Sequence, residues 1–122
     1  MEKDELTGQI IGCAIEVHRR LGPGLLESVY EKALCIELSR IGLKFECQKS
    51  IPISYRDESI GNFRIDLVVE EIVVLELKSV DRFDPVFEAQ LLSYMKLGNY
   101  KVGLLINFNK TLLKEGVMRR IL

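Results

Sequence analysis

The sequence predicts an α/β fold: a mixed central sheet of about four to five strands flanked by helices, built as one domain over residues 1–122. Three observations predict it. Apolar residues recur at spacings of three and four through the N-terminal third, and short β-prone runs separated by polar or glycine-containing turns fill residues 43–80. A helix start at Asp84-Pro85 then precedes a last apolar run.

The first helix is expected over 4–21, where Leu6, Ile10, Cys13, Ala14, Val17 and Leu21 share one stripe and Gly22-Pro23-Gly24 ends it. A second is expected over 25–41, with Leu26, Val29, Ala33 and Ile36 on one line, Tyr30, Leu34, Leu38 and Ile41 on the next, and Gly42 as its stop. Residues 43–47, 51–55, 62–69 and 72–80 read as strands of an antiparallel meander. A third helix should run from Pro85 to about Leu97, closed by Gly98-Asn99, and a buried strand over 101–107 should follow. The last segment, 111–122, places Leu112, Leu113, Val117 and Ile121 among basic residues and reads as a short helix on the sheet.

A length of 122 residues suits a single core, and the 48% hydrophobic content excludes a disordered chain. The net charge of −1 argues against nucleic-acid binding by bulk charge, so any such contact must be a local basic patch. Arg19, Arg20, Lys110, Lys114, Arg119 and Arg120 could form one if the chain ends converge, with solvated surface residues as the plainer reading. Cys13, Cys35 and Cys47 lack zinc-site spacing and are expected to be reduced core residues. The polar start Met1-Glu2-Lys3-Asp4-Glu5 is unlike a signal peptide, and no run is long enough to span a membrane, so a cytoplasmic location is expected.

Chemistry concentrates in two apolar runs that carry charges. In Val73-Val74-Leu75-Glu76-Leu77-Lys78, strand periodicity puts Glu76 and Lys78 on one face, and Phe63-Arg64-Ile65-Asp66-Leu67-Val68-Val69 carries one acid within its apolar half. Charges in such runs are costly to desolvate unless they pair or bind metal. A three-residue turn over 70–72 would set Asp66 opposite Glu76 on the same face, whereas a two-residue turn would separate them. Two converging carboxylates suit a hard cation, Mg²⁺ or Mn²⁺, and Lys78 beside them could orient a water and stabilise negative charge, which is phosphodiester hydrolysis chemistry. Spacing alone equally allows a solvated Glu76/Lys78 ion pair with Asp66 incidental to both.

Asp66, nine residues, then Glu76-Leu77-Lys78 resembles the D-x(n)-(D/E)-x-K signature of the PD-(D/E)XK nuclease superfamily. Gly24-Leu25-Leu26-Glu27-Ser28-Val29-Tyr30 resembles the signature of its GxxExxY branch, and the likeness runs from about Leu6 to Ile121. Val17-His18, Leu21-Gly22-Pro23-Gly24, Ser79-Val80 after the lysine, Gln90-Leu91-Leu92-Ser93-Tyr94 and Leu104-Leu105-Ile106-Asn107-Phe108-Asn109 are further matching stretches. The resemblance implies a restriction-endonuclease-like core and a Mg²⁺-dependent nuclease acting on DNA. Asp66 and Glu76 would bind metal with Glu27 assisting, Lys78 would position the attacking water, and Gln90 and Tyr94, like a QxxxY motif, would face phosphate or the lysine.

Read without it, Glu27 is a first-turn acid favoured by the helix dipole, Gln90 a surface amide and Tyr94 a core aromatic. Phe87 stands where the family often has histidine, which removes a polar group. His18, near a helix C-terminus, is expected to be structural. Two further readings stay open: a catalytically inactive nucleic-acid-binding or adaptor protein that keeps the fold, and a homodimer formed through apolar helix faces.

Overall fold

A computed structural model describes residues 2–122 of the chain. Helix α1, Lys3–Leu21, forms as its stripe predicts: Leu6, Ile10, Cys13, Ala14 and Val17 are buried, while Asp4 and Glu5 at its start and His18, Arg19 and Arg20 at its end complement the dipole. Helix α2, Glu27–Arg40, turns only one of its two apolar lines inward. Tyr30, Leu34 and Leu38 are fully buried, whereas Leu26 and Ile36 face solvent.

The connection between these helices is clamped by Tyr30. Its hydroxyl donates to the Gly22 carbonyl at 2.5 Å and accepts from the Leu25 N–H at 3.1 Å, and its ring stacks on Phe108 at 4.4 Å. Gly24 takes φ +95°, a conformation L side chains rarely adopt, so glycine and tyrosine together fix where α2 begins. Tyr30→Phe is expected to cost about 1–2 kcal/mol in urea unfolding, since it strands a part-buried carbonyl and N–H. An unchanged midpoint would show the clamp to be idle.

Five strands follow in the sheet order β1-β2-β3-β4-β5, namely Phe45–Tyr55, Glu58–Val69, Val73–Lys78, Val102–Asn107 and Val117–Ile121. Only β3 and β4 run parallel; they are joined by helix α3, Pro85–Gly98, whose N-cap Asp84 accepts from the Val86 N–H. The β2–β3 register pairs Val69 with Val73 across a turn over 70–72, the odd-numbered turn that sets Asp66 opposite Glu76.

Two segments depart from expectation. The stretches 43–47 and 51–55 join into one strand, β1, because backbone pairing to β2 resumes at Lys49 and Ser50 after skipping Gln48. The segment 111–122 is not a helix but one 3-10 turn, Leu113–Gly116, followed by β5 antiparallel to β4. A side chain at Gly116 would lie 2.3 Å from the Asn107 carbonyl, and the free backbone edge of β4 supplies partners that an isolated helical turn lacks.

Helices α1 and α2 cover one sheet face through Leu67, Val69, Leu75, Leu77, Leu104 and Ile106, and α3 covers the other through Phe63, Ile65, Val68, Val74 and Leu105. Of the cysteines, Cys13 is buried and Cys35 is half-buried and packed against the same core, whereas Cys47 is exposed and departs from the expectation of three core thiols. No helix among the described residues is long and apolar enough to cross a membrane.

Candidate active site

Side-chain alternation in β2 changes phase at Asp66. Phe63 and Ile65 face α3, yet Leu67 and Val69 face α1 and α2. β1 changes phase at the same level, with Phe45 on one face and Ile51 and Ile53 on the other. Gln48, which the flanking pairs set opposite Asp66, takes φ 51° and is missing from the ladder. The hairpin therefore bends at the Gln48/Asp66 step, and the β2–β3 ladder stops at Leu67/Leu75.

Carboxylates take over where that ladder stops. Glu76 accepts from the Asp66 N–H at 2.9 Å, and Asp66 accepts from the Leu77 N–H at 2.8 Å, so the two acids are interlocked across the strands. Each keeps a second oxygen. Glu76 is only 6% exposed, and burial, then the Asp66 charge, push its carboxyl up to about 8, against the opposing pull of the Asp66 N–H and Lys78. A group so placed is mostly protonated near pH 7, a perturbation that marks it as a candidate functional group.

Beside Asp66 lies a small pocket of about 190 Å³ lined by Glu27, Ser28 and Glu31 from α2, Gln48, Asp66, Leu77 and Lys78; Glu76 is buried behind it and is not part of its lining. Glu27 is thus brought to Asp66 and Lys78 by the Gly24/Tyr30 clamp, and Ser79 tightens the connection by donating to the Leu25 carbonyl at 2.6 Å. The Lys78 ammonium sits 4.5 Å from the Phe87 ring centroid, so the aromatic ring at this position takes up the lysine charge face-on. Asn107, buried at the end of β4, donates to the Val80 carbonyl and accepts from the Val80 N–H, which fixes the chain just after Lys78.

Gln90 and Tyr94 do not line this pocket. Tyr94 stacks on Phe63 at 4.5 Å from the α3 side; burial, then the charges of Glu76 and Asp66, raise its hydroxyl pKa, which places it within electrostatic reach of both acids. Gln90, one turn earlier, is half-buried. His18 lies outside the site, its Nε2 donating to the Lys110 carbonyl at 2.6 Å. The chain ends do converge, but Arg119 pairs with Asp4, Arg120 with Glu88, and Arg19 and Arg20 both with Glu16, so these arginines form no free phosphate-binding rim.

Two residues of the pocket carry no sequence signal of the same strength. Gln48 donates to Glu31 at 2.8 Å and reaches toward Asp66 at 3.4 Å, bridging helix and sheet. Burial, and the charge of Asp66 against that hydrogen bond, hold the Glu31 carboxyl above its ordinary range. Glu31 was legible as the residue one helical turn after Glu27; Gln48 becomes visible only with the β1–β2 register.

The oxygen donors of Asp66, Glu76 and Glu27 suit a hard divalent cation in kind, and burial, then the Asp66 charge, raise the Glu76 carboxyl. They are not a ready-made cluster: among the described residues, no three His, Cys, Asp or Glu side chains are gathered closely enough to hold an ion. Comparison with curated proteins and with solved structures gives no match. A family model described as the PD-(D/E)XK nuclease superfamily matches residues 4–121. With that match spanning nearly the whole chain and agreeing with a mixed five-stranded sheet between helices, the restriction-endonuclease-like arrangement, the chain belongs to the PD-(D/E)XK nuclease superfamily.

Proposed function

We propose that this protein is a Mg²⁺- or Mn²⁺-dependent nuclease of the GxxExxY branch that hydrolyses phosphodiester bonds of DNA. The observation that carries the reading is the interlocked Asp66/Glu76 pair with Glu27 and Lys78 drawn to its side from a helix and a strand end. Asp66, Glu76 and Glu27 would hold the cation, which when bound supplies Lewis-acid polarisation of the phosphodiester. Lys78, held over Phe87, orients the attacking water and offsets negative charge that develops on the phosphate. Tyr94 and Gln90 approach from α3 and contact the phosphate or the lysine. Leu77 and the surrounding sheet exclude bulk water from one side of the acids, which strengthens these interactions.

Calorimetric titration of the wild type and Asp66→Asn with Mg²⁺ and Mn²⁺, beside cleavage of single-stranded, duplex and branched DNA, tests this. The wild type should bind and cleave, and Asp66→Asn should lose at least about tenfold in cation affinity together with cleavage. Neither binding nor cleavage by the wild type would replace the proposal with that of an inactive nucleic-acid-binding or adaptor protein.

A further inference from the structure

The structure assigns a second reactive site: we propose that Cys35 of α2 and Cys47 of β1 form a reversible disulfide that locks α2 onto the sheet beside the acidic pocket. Their sulfurs lie 3.2 Å apart although the residues are 12 positions distant in sequence, and both thiols are free. A disulfide needs about 2.05 Å, so closure asks the sulfurs for little more than an ångström of approach. No third His, Cys, Asp or Glu joins them closely enough to hold a metal, among the described residues, which leaves oxidation as the chemistry open to the pair. Core packing accounts for Cys35 but not for Cys47, which is exposed.

Their placement gives the bond a consequence. Cys35 lies one helical turn beyond Glu31, and Cys47 directly precedes Gln48, so the disulfide would run parallel to the Glu31–Gln48 hydrogen bond that already ties α2 to β1. Small sulfur movements mean that oxidation fixes the existing arrangement of the pocket and does not pull it apart. Burial, then the neighbouring Cys47, push the Cys35 thiol up to about 12, so reaction begins at the exposed sulfur.

With a low-molecular-weight disulfide such as oxidised glutathione as oxidant, the Cys47 thiolate attacks one sulfur, the glutathione S–S bond breaks, and one glutathione leaves and takes a proton. The Cys35 sulfur then loses its proton and displaces the second glutathione from Cys47. Two protein thiols are oxidised to one disulfide, and one glutathione disulfide is reduced to two thiols.

Incubation of the full chain with oxidised glutathione tests this without reference to nuclease activity. The product should be lighter by two hydrogen atoms, retain one titratable thiol in denaturant, and yield a Cys35–Cys47 linked peptide on non-reducing digestion. Its thermal midpoint should rise by roughly 5 °C and return on adding dithiothreitol. Cys35→Ser and Cys47→Ser should each lose both the mass change and the shift. Three thiols still titrating, a glutathione adduct that never resolves, or disulfide-linked dimers would each overturn the proposal.

Discussion

Lys78→Ala should lower DNA cleavage by at least about 10²-fold at saturating Mg²⁺ while leaving the cation affinity equal or tighter. The two halves of the result come from one geometry. Lys78 ends β3, its carbonyl accepting from the Phe108 N–H at 2.9 Å, and its ammonium rests over Phe87 beside a pocket it shares with Asp66 and Glu27. Its positive charge opposes a cation at the acids yet assists charge developing on a substrate phosphate, so its removal separates binding from turnover. A surface ion pair predicts the reverse: a few tenths of a kcal/mol of stability lost and cleavage untouched. Single-turnover cleavage with calorimetry on the same preparation decides between them, and full activity in the variant would remove Lys78 from the mechanism.

The parts of the fold visible in sequence were those whose local pattern and tertiary role agree. The α1 stripe, the Asp84-Pro85 start of α3 and the apolar β4 run each say the same thing at both levels, and each forms where its residues predict. The last segment failed because Leu113, Val117 and Ile121 have helical spacing, whereas the deciding facts are nonlocal: an open β4 edge and the contact of Gly116 with Asn107. In the site, parity reasoning reached the Asp66/Glu76 opposition through turn length alone, since period-two geometry is rigid. It did not reach the phase change at Gln48 and Asp66, which lets Asp66 bond across to the Leu77 N–H instead of simply sharing a face with Glu76. The two apolar lines of α2 show a different limit. Periodicity identified both, but only packing could choose Tyr30, Leu34 and Leu38 as the buried one.

Glu76→Gln should abolish cleavage and at the same time make the protein more stable at pH 8. The Glu76 carboxyl titrates near 8 in the folded chain against 4.5 when unperturbed, so the folded state keeps a proton that the unfolded state has already released over that interval. Stability contributed by this group is therefore full below about pH 4.5 and falls as the pH rises through 8. A shift of this size sets a ceiling on the order of 5 kcal/mol, and relaxation of the site reduces it. Glutamine keeps an oxygen for the Asp66 N–H while removing the charge, so in EDTA the variant should gain about 1–3 kcal/mol at pH 8 and almost nothing at pH 5. Glu31 is raised in the same sense, but it is present in both proteins and cancels in the comparison. Added Mg²⁺ should restore stability to the wild type at pH 8 and leave the variant unmoved, because a ligand stabilises only the state that binds it. Urea midpoints at the two pH values, with and without Mg²⁺, carry the test. A variant less stable at pH 8, or equally stabilised at both pH values, would mean that Glu76 is kept for packing and that its charge is not held in readiness for a cation.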